Sequence, residues 1–361
     1  MASPTASVAA EDGSLDTKRV VPFSVVKLAA ETTALPPQFL KSEGERPTVA
    51  YNDHSSKIPL ISLKGIDVKS ERERIVAEIA RACEEWGIFQ IVDHAVPTDL
   101  MNGTMDNNSS FFELPQEEKL KYATKPGGFP AAFGYATGSH LAGDNVLDWR
   151  EFMLHTSLPR SVYKSEYSFW PEKPEEYRET LIEYSEKTDL LVTSLLGLIS
   201  ESLGLPTDYI KNLVGGEKTE QKILFNYYPP CPQPDLTLGH RSHTDFGTIT
   251  LLQQTDVGGL QAFKPETDRW VTVEPIRGAF VVNLGDQLQI LSNGKYRSVK
   301  HQAVVNSNRT RSSIVTFANP SPMSHMGPIP ELLNDTNPAK YTNYIFKDYL
   351  RLFRSKISGY E

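Results

Sequence analysis

Apolar positions recur at helical spacing in three stretches of the first part of the chain. Between Glu71 and Trp86, Ile75, Ile79 and Cys83 follow every four residues, with Val76 and Ala80 beside them. That pattern predicts a helix with one buried face, and Gly87 is placed to end it. Asp99 to Lys121 carries a second helical pattern, which runs out near Pro126-Gly127-Gly128. Glu175 to Leu203 carries the longest, with Leu181, Tyr184, Leu191, Leu195 and Leu198 near one face and Gly204 as a stop. Ile88 to Val92 is a short unbroken apolar run that reads as a buried strand, and Ile58-Pro59-Leu60-Ile61 reads as a shorter one.

After Lys222 the period changes. Short β-rich runs alternate with turns: Ile223–Tyr228, Thr248–Leu252, Trp270–Val273, Ala279–Asn283, Gln302–Val305 and Ile314–Phe317. Such spacing predicts a sandwich or barrel, and a double-sheet jelly roll encloses a cavity that can host a metal. Tyr341 to Ser355 closes the chain as a helical pattern. The resulting organisation is a polar tail over residues 1–20, read as disordered, then a helix-rich N-terminal region with the first strands over 21–205. A β core follows over 206–330 and a helical segment over 331–361.

Composition narrows the function. The chain has 361 residues, 39% hydrophobic, with a formal net charge of −8. No basic block offers a surface to a polyanion, so nucleic-acid binding is not expected. No apolar run reaches the roughly 20 residues that span a bilayer. The N-terminus lacks the basic start and apolar stretch of a secretory signal. Only Cys83 and Cys231 are present, which argues against a disulfide framework and for a reducing, cytoplasmic setting. Cys231 has no His partner nearby and reads as an inert thiol.

The chemistry concentrates in His243-Thr244-Asp245, the later His301, and Arg311-Ser312-Ser313. Two imidazoles and one carboxylate are the ligand set that holds non-heme Fe(II) and leaves positions open. Residues i and i+2 of a strand share a face, so one strand end can present His243 and Asp245, with His301 supplied by a later strand. Arg311 has a planar fork suited to a carboxylate, and Ser313 adds a hydroxyl on the same strand face. Together they indicate an oxygenase that uses 2-oxoglutarate and O2. Tyr228 could hydrogen-bond the same distal carboxylate, and Asn226 could orient the metal-proximal end. His-x-Asp alone is a weak signal, and a lone Arg is more often a surface ion pair; the ordered combination carries the argument. Of the other histidines, His54, His94, His140, His155 and His325 read as structural or exposed. His240 lies three residues before His243, an odd spacing that puts it on the opposite strand face.

With these residues in view, the chain resembles the plant 2-oxoglutarate/Fe(II)-dependent dioxygenases, in the flavonoid branch that holds the soluble flavone synthases and flavanone 3-hydroxylases. The resemblance rests on WGIFQIVDHAV (86–96), NYYPPCPQPDLTLG (226–239), HTDFGTITLLQQTDVGGLQAF (243–263) and GAFVVNLGDQLQILSNGKYRSVKHQAVVNS (278–307), and runs from about residue 20 onward. It implies a mainly β fold with flanking helices, a distorted double-stranded β-helix or jelly roll. It implies iron on His243, Asp245 and His301, and 2-oxoglutarate held by Arg311, Ser313, Tyr228 and Asn226. Ascorbate is implied as reductant, and a monomer as the state. Flavonoid-contacting positions match Phe152, Leu154, Leu224, Phe317 and Asn319, with Phe133 also in range. Phe317 lies two strand-face steps beyond Ser313, where an aromatic could stack on a flat phenolic ring.

The chain also departs from the branch. Gln287-Leu288-Gln289 stands where flavanone 3-hydroxylases carry a His-containing stretch, Arg311-Ser312-Ser313 replaces the usual Arg-Leu-Ser, and residues 128–137 differ. These departures favour 2,3-desaturation of a naringenin-like flavanone to a flavone, with release of succinate and CO2. Flavanone 3-hydroxylation is the alternative, followed by other flavonoid oxidations such as flavonol synthesis. A non-catalytic β-sandwich that binds a metal or small molecule is the reading from another class; it would not need the triad and the Arg-x-Ser pair together.

Overall fold

The computed structural model describes residues 24–123, 134–138, 146–158 and 167–358. Two mixed sheets face one another in a distorted jelly roll. The major sheet runs β2 (Leu60–Ser62), β3 (Ile88–Val92), β11 (Phe280–Leu284), β8 (Ile249–Gln254), β13 (Arg311–Asn319), β6 (Glu220–Tyr228), β5 (Glu151–Leu158) and β4 (Gly134–Thr137), in that spatial order. The minor sheet runs β1 (His54–Ser55), β10 (Arg269–Val273), β9 (Leu260–Lys264), β12 (His301–Ala303) and β7 (His240–His243). A short pair, β14 (His325–Met326) and β15 (Tyr344–Ile345), stands apart.

Strand alternation divides the apolar residues between two cores. On β11, Phe280, Val282 and Leu284 pack in the core that also takes up Ile79, Leu195 and Leu198 of the helical layer. Val281 turns the other way, to meet Leu252, Val315, Leu260 and Val273 between the two sheets. The helical layer is α2 (Lys69–Glu85), α3 (Thr98–Glu113) and α5 (Tyr177–Ser202). Gly87 ends α2 at φ +67°, and a Cβ there would lie 2.3 Å from the Arg297 carbonyl oxygen, so the strand that follows can start only with glycine at this position.

Two sequence expectations change, and one strand was not expected. The pattern from Asp99 to Lys121 is two helices, Thr98–Glu113 and α4 (Gln116–Leu120), because Pro115 between them has no N–H and cannot continue a helix. The terminal helix begins at Phe346; Tyr344 and Ile345 are drawn out as strand by pairing with Met326 and His325. β5 gives no apolar signal because its buried face carries Glu151 and His155. Glu151 is fully buried and accepts from Lys119 Nζ (2.7 Å), Tyr135 Oη (2.7 Å), Ser24 Oγ (2.7 Å) and the Val26 N–H (3.1 Å). A buried carboxylate is tolerated when its lone pairs are met in this way. No helix among the described residues is long and apolar enough to cross a membrane.

Candidate active site

His243 and His301 stand opposite one another in the β7–β12 pair, with ring centroids 4.2 Å apart. Each ring meets a backbone carbonyl two residues earlier through Nδ1: His243 with Arg241 O at 2.9 Å, and His301 with Val299 O at 3.1 Å. A carbonyl can only accept, so Nδ1 is the donor in both rings and Nε2 is the atom each ring turns toward Asp245. Both Nε2 atoms lie 3.7 Å from Asp245 Oδ1. Asp245 follows the end of β7, anchored where its carbonyl accepts from the Asp286 N–H at 2.7 Å. The three side chains form a group whose ligand atoms lie within 4.8 Å of one another.

The surroundings favour a cation there. Asp245 is buried and its Oδ2 has no hydrogen-bond partner. An unmet carboxylate oxygen beside two imidazole lone pairs is costly until a positive charge joins them, and two His with one carboxylate suit Fe(II). Burial holds the His243 imidazole well below its ordinary pKa, helped by the His240 and His301 rings. The ring is therefore neutral and available as a ligand.

His240 is not on the opposite face. Its ring lies 4.2 Å from that of His243, and it lines the same cavity. The cause is a bulge. His243 pairs with His301 and His240 with Ala303, so three steps on β7 match two on β12. The extra residue restores a shared face at odd spacing. His240 Nδ1 lies 3.3 Å from Asp148 Oδ2, and Lys41 Nζ donates to the other oxygen of that fully buried carboxylate at 2.8 Å. Burial, then the charge of Arg150, pushes the His240 pKa well down.

Across the cavity, Arg311 stands opposite Tyr228 and Ser313 opposite Asn226 in the β13–β6 register. Arg311 is buried, with its guanidinium over the Tyr228 ring at 5.0 Å. Its Nη2 donates to Gln254 Oε1 at 3.0 Å, while Nε and Nη1 have no partner. Two unmet donors on a buried cation mark a place for an anion. Gly259, at φ +133°, gives it room: a Cβ there would lie 3.3 Å from Arg311 Cδ and 2.6 Å from the Val304 carbonyl oxygen. Asn226 Oδ1 accepts from Arg150 Nη1 at 2.6 Å, and its Nδ2 points at Ser313 Oγ at 3.5 Å. That contact leaves the Ser313 hydroxyl hydrogen free.

The sequence-derived substrate positions do not all meet. Leu224 and Phe317 line the cavity with the triad and Arg311, beside Leu252 and Val315. Phe152 and Leu154 stand opposite Asn226 and Leu224 in the β5–β6 register. They share the cavity-facing side one strand further out, and Arg150 lies over the Phe152 ring at 4.9 Å. Asn319 lines a second cavity with Thr248 and Glu220. Six residues of strand separate it from Ser313, about 20 Å. Phe133 lies outside the described residues. Sequence reasoning missed Gln254, Arg150 and Asn283. They reach the site through strand register, which no local pattern records; Gln254 stands directly opposite Ser313.

The thiols match the sequence reading. Cys83 and Cys231 are both buried and free. Burial pushes the Cys231 thiol up to about 12 and raises that of Cys83 as well.

Comparison with known proteins agrees with this geometry. Residues 219–320 match the profile of the 2OG-Fe(II) oxygenase superfamily, and residues 58–173 match one described as non-haem dioxygenase in morphine synthesis N-terminal. The chain is 48% identical to a naringenin,2-oxoglutarate 3-dioxygenase of Matthiola incana, over 85% of this chain and 84% of that one. It is 49% identical to a flavone synthase of Petroselinum crispum, over 84% and 81%. The crystal structure of JOX2 in complex with 2OG, Fe and JA superposes with a TM-score of 0.82 at 35% identity, covering 92% of this chain and 93% of that one. The chain thus belongs to the 2OG-Fe(II) oxygenase superfamily and is a 2-oxoglutarate-dependent dioxygenase, taking Fe(II), 2-oxoglutarate and O2.

Proposed function

We propose that this enzyme oxidises the C ring of a naringenin-like flavanone, by 2,3-desaturation to a flavone. The observation that carries the reading is the pair of relatives near half identity over most of the chain, both named for flavonoid oxidation. Desaturation converts flavanone, 2-oxoglutarate and O2 into flavone, succinate, CO2 and water.

Each residue has a part. His243, Asp245 and His301 hold Fe(II), which when bound supplies the oxidative decarboxylation of 2-oxoglutarate and the removal of hydrogen from the substrate. Arg311 and Ser313 grip the distal carboxylate with the two free guanidinium donors and the hydroxyl. Tyr228 backs Arg311, and Asn226, fixed by Arg150, backs Ser313. Phe317, Leu224, Leu252 and Val315 give the substrate an apolar wall, with Phe317 stacking on its ring. Phe152 and Leu154 extend that wall, and Phe133 is kept as a further substrate position; Asn319 opens on the other cavity and is left out of the set. No side chain serves as a general base; the protein contributes placement. The enzyme works as a cytoplasmic monomer, a setting that suits Fe(II) and two buried free thiols.

A second reading, 3-hydroxylation, is favoured by the 48% identity to a naringenin 3-dioxygenase. The departure at Gln287 does not separate the two directly. Gln287 donates to the Phe246 carbonyl (3.1 Å), accepts from Tyr344 Oη (2.7 Å) and does not line the cavity. Incubation with naringenin, Fe(II), ascorbate and 2-oxoglutarate in air, read by mass spectrometry, decides. A product two mass units lighter is the flavone, one sixteen units heavier is the hydroxylated flavanone, and succinate without either overturns the flavanone substrate.

A further inference from the structure

Asn283 sits on β11, in the middle of the major sheet, between β3 and β8. It stands opposite Thr250 on β8, which in turn stands opposite Phe317 on β13. All three line the cavity that holds the triad. The Asn283 side chain is 1% exposed, yet neither Oδ1 nor Nδ2 has a hydrogen-bond partner. Its neighbour on the same strand face, Val281, packs in the apolar core with Leu252 and Val315. A leucine would suit such a position, and an amide with both ends unmet is costly there. Polar groups that break the local packing rule without a partner in the fold are expected to find one in a ligand.

We infer that Asn283 is a substrate-contacting residue that sets specificity, its amide hydrogen-bonding a carbonyl or hydroxyl oxygen carried on the ring that is oxidised. The inference rests on the flavanone reading for the identity of that ring. The amide has both a donor and an acceptor to offer, so it can hold a ring carbonyl or a phenolic hydroxyl. Phe317, two positions along the same row, covers the ring face while Asn283 fixes its rotation. A site built to hydrogen-bond a substrate oxygen rejects analogues that lack it, because its own polar atoms are then left unpaired.

Asn283→Leu separates this role from a structural one. Leucine matches the shape and removes the unmet amide, so the melting temperature of the ligand-free protein should rise. The KM for naringenin should rise about tenfold, the loss of one hydrogen bond. The 2-oxoglutarate KM and the affinity for Co(II) should stay unchanged. An unchanged or lower melting temperature means the amide is satisfied in the fold or by water, and overturns the inference. An unchanged naringenin KM overturns it as well, and weaker Co(II) binding would instead assign Asn283 to the metal group. If the wild-type protein releases succinate but never converts naringenin, the flavanone reading falls, and the melting comparison alone decides Asn283.

Discussion

His240 packs its ring 4.2 Å from that of His243, at an interplanar angle of 32°. Asp148 fixes the far side of His240, so the iron-facing ring of His243 rests on an anchored neighbour. Packing of this kind restrains the tilt of a ligand. His240→Leu should therefore weaken Co(II) binding about tenfold, as outer-shell changes do, with the fold retained. Titration of the metal-free protein measures it. Equal affinity in variant and wild type would show that the stack contributes nothing to the metal group.

Asp245→Ala should abolish turnover without harming the fold. The carboxylate is buried with one oxygen unmet, so its loss removes a cost from the metal-free state. Wild-type protein at a Co(II) concentration one hundred times its Kd should gain about 2.7 kcal/mol of stability, and the variant should gain none. Retained turnover, or equal stabilisation by Co(II), would remove Asp245 from the ligand set.

Arg311→Ala should raise the 2-oxoglutarate concentration needed for half-maximal rate by at least about tenfold, since charge-assisted hydrogen bonds contribute roughly 1.5–3 kcal/mol. Arg311→Lys should not restore it, because an ammonium on a flexible stem can neither keep the Gln254 contact nor present a planar fork. Full rescue by lysine would mean that charge alone holds the co-substrate.

His155 makes stability depend on pH. It is fully buried, with Nδ1 donating to the Ile223 carbonyl at 3.1 Å and Nε2 accepting from Tyr177 Oη at 2.9 Å. Burial lowers its pKa from 6.5 to about 4. The folded-state pKa is the lower one, so the unfolded chain takes up a proton first. Stability should fall as the pH drops from about 6.5 to about 4, by up to about 3 kcal/mol. His155→Gln should lose that component. Urea unfolding of both proteins across the window measures it, and equal pH slopes would dismiss the role of His155.

Much of the site was legible from spacing. His243, Asp245 and His301 follow from their order along the chain together with Arg311 and Ser313, and strand periodicity puts the last two on one face. What was hidden depends on long-range register. β5 shows no apolar alternation because its core positions carry Glu151 and His155, made tolerable by Lys119, Tyr135 and Tyr177 from other segments. His240 was assigned to the wrong face because a bulge adds a residue, and only the partner strand reveals it. Asn319 shares a face with Phe317 yet opens on another cavity, since periodicity gives the side of a strand and not the distance along it.

The metal group and the carboxylate grip belong to different sheets. His243 and His301 come from β7 and β12 of one, Arg311 and Ser313 from β13 of the other. Facing sheets stand about 10 Å apart, a spacing held by Leu252, Val315, Leu260 and Val273 and independent of any ligand. The jelly roll therefore works as a caliper. A diacid held at both jaws must span a gap that the protein sets before the acid arrives. Selection by length is thus written into the apolar filling between the sheets as much as into the residues that touch the acid.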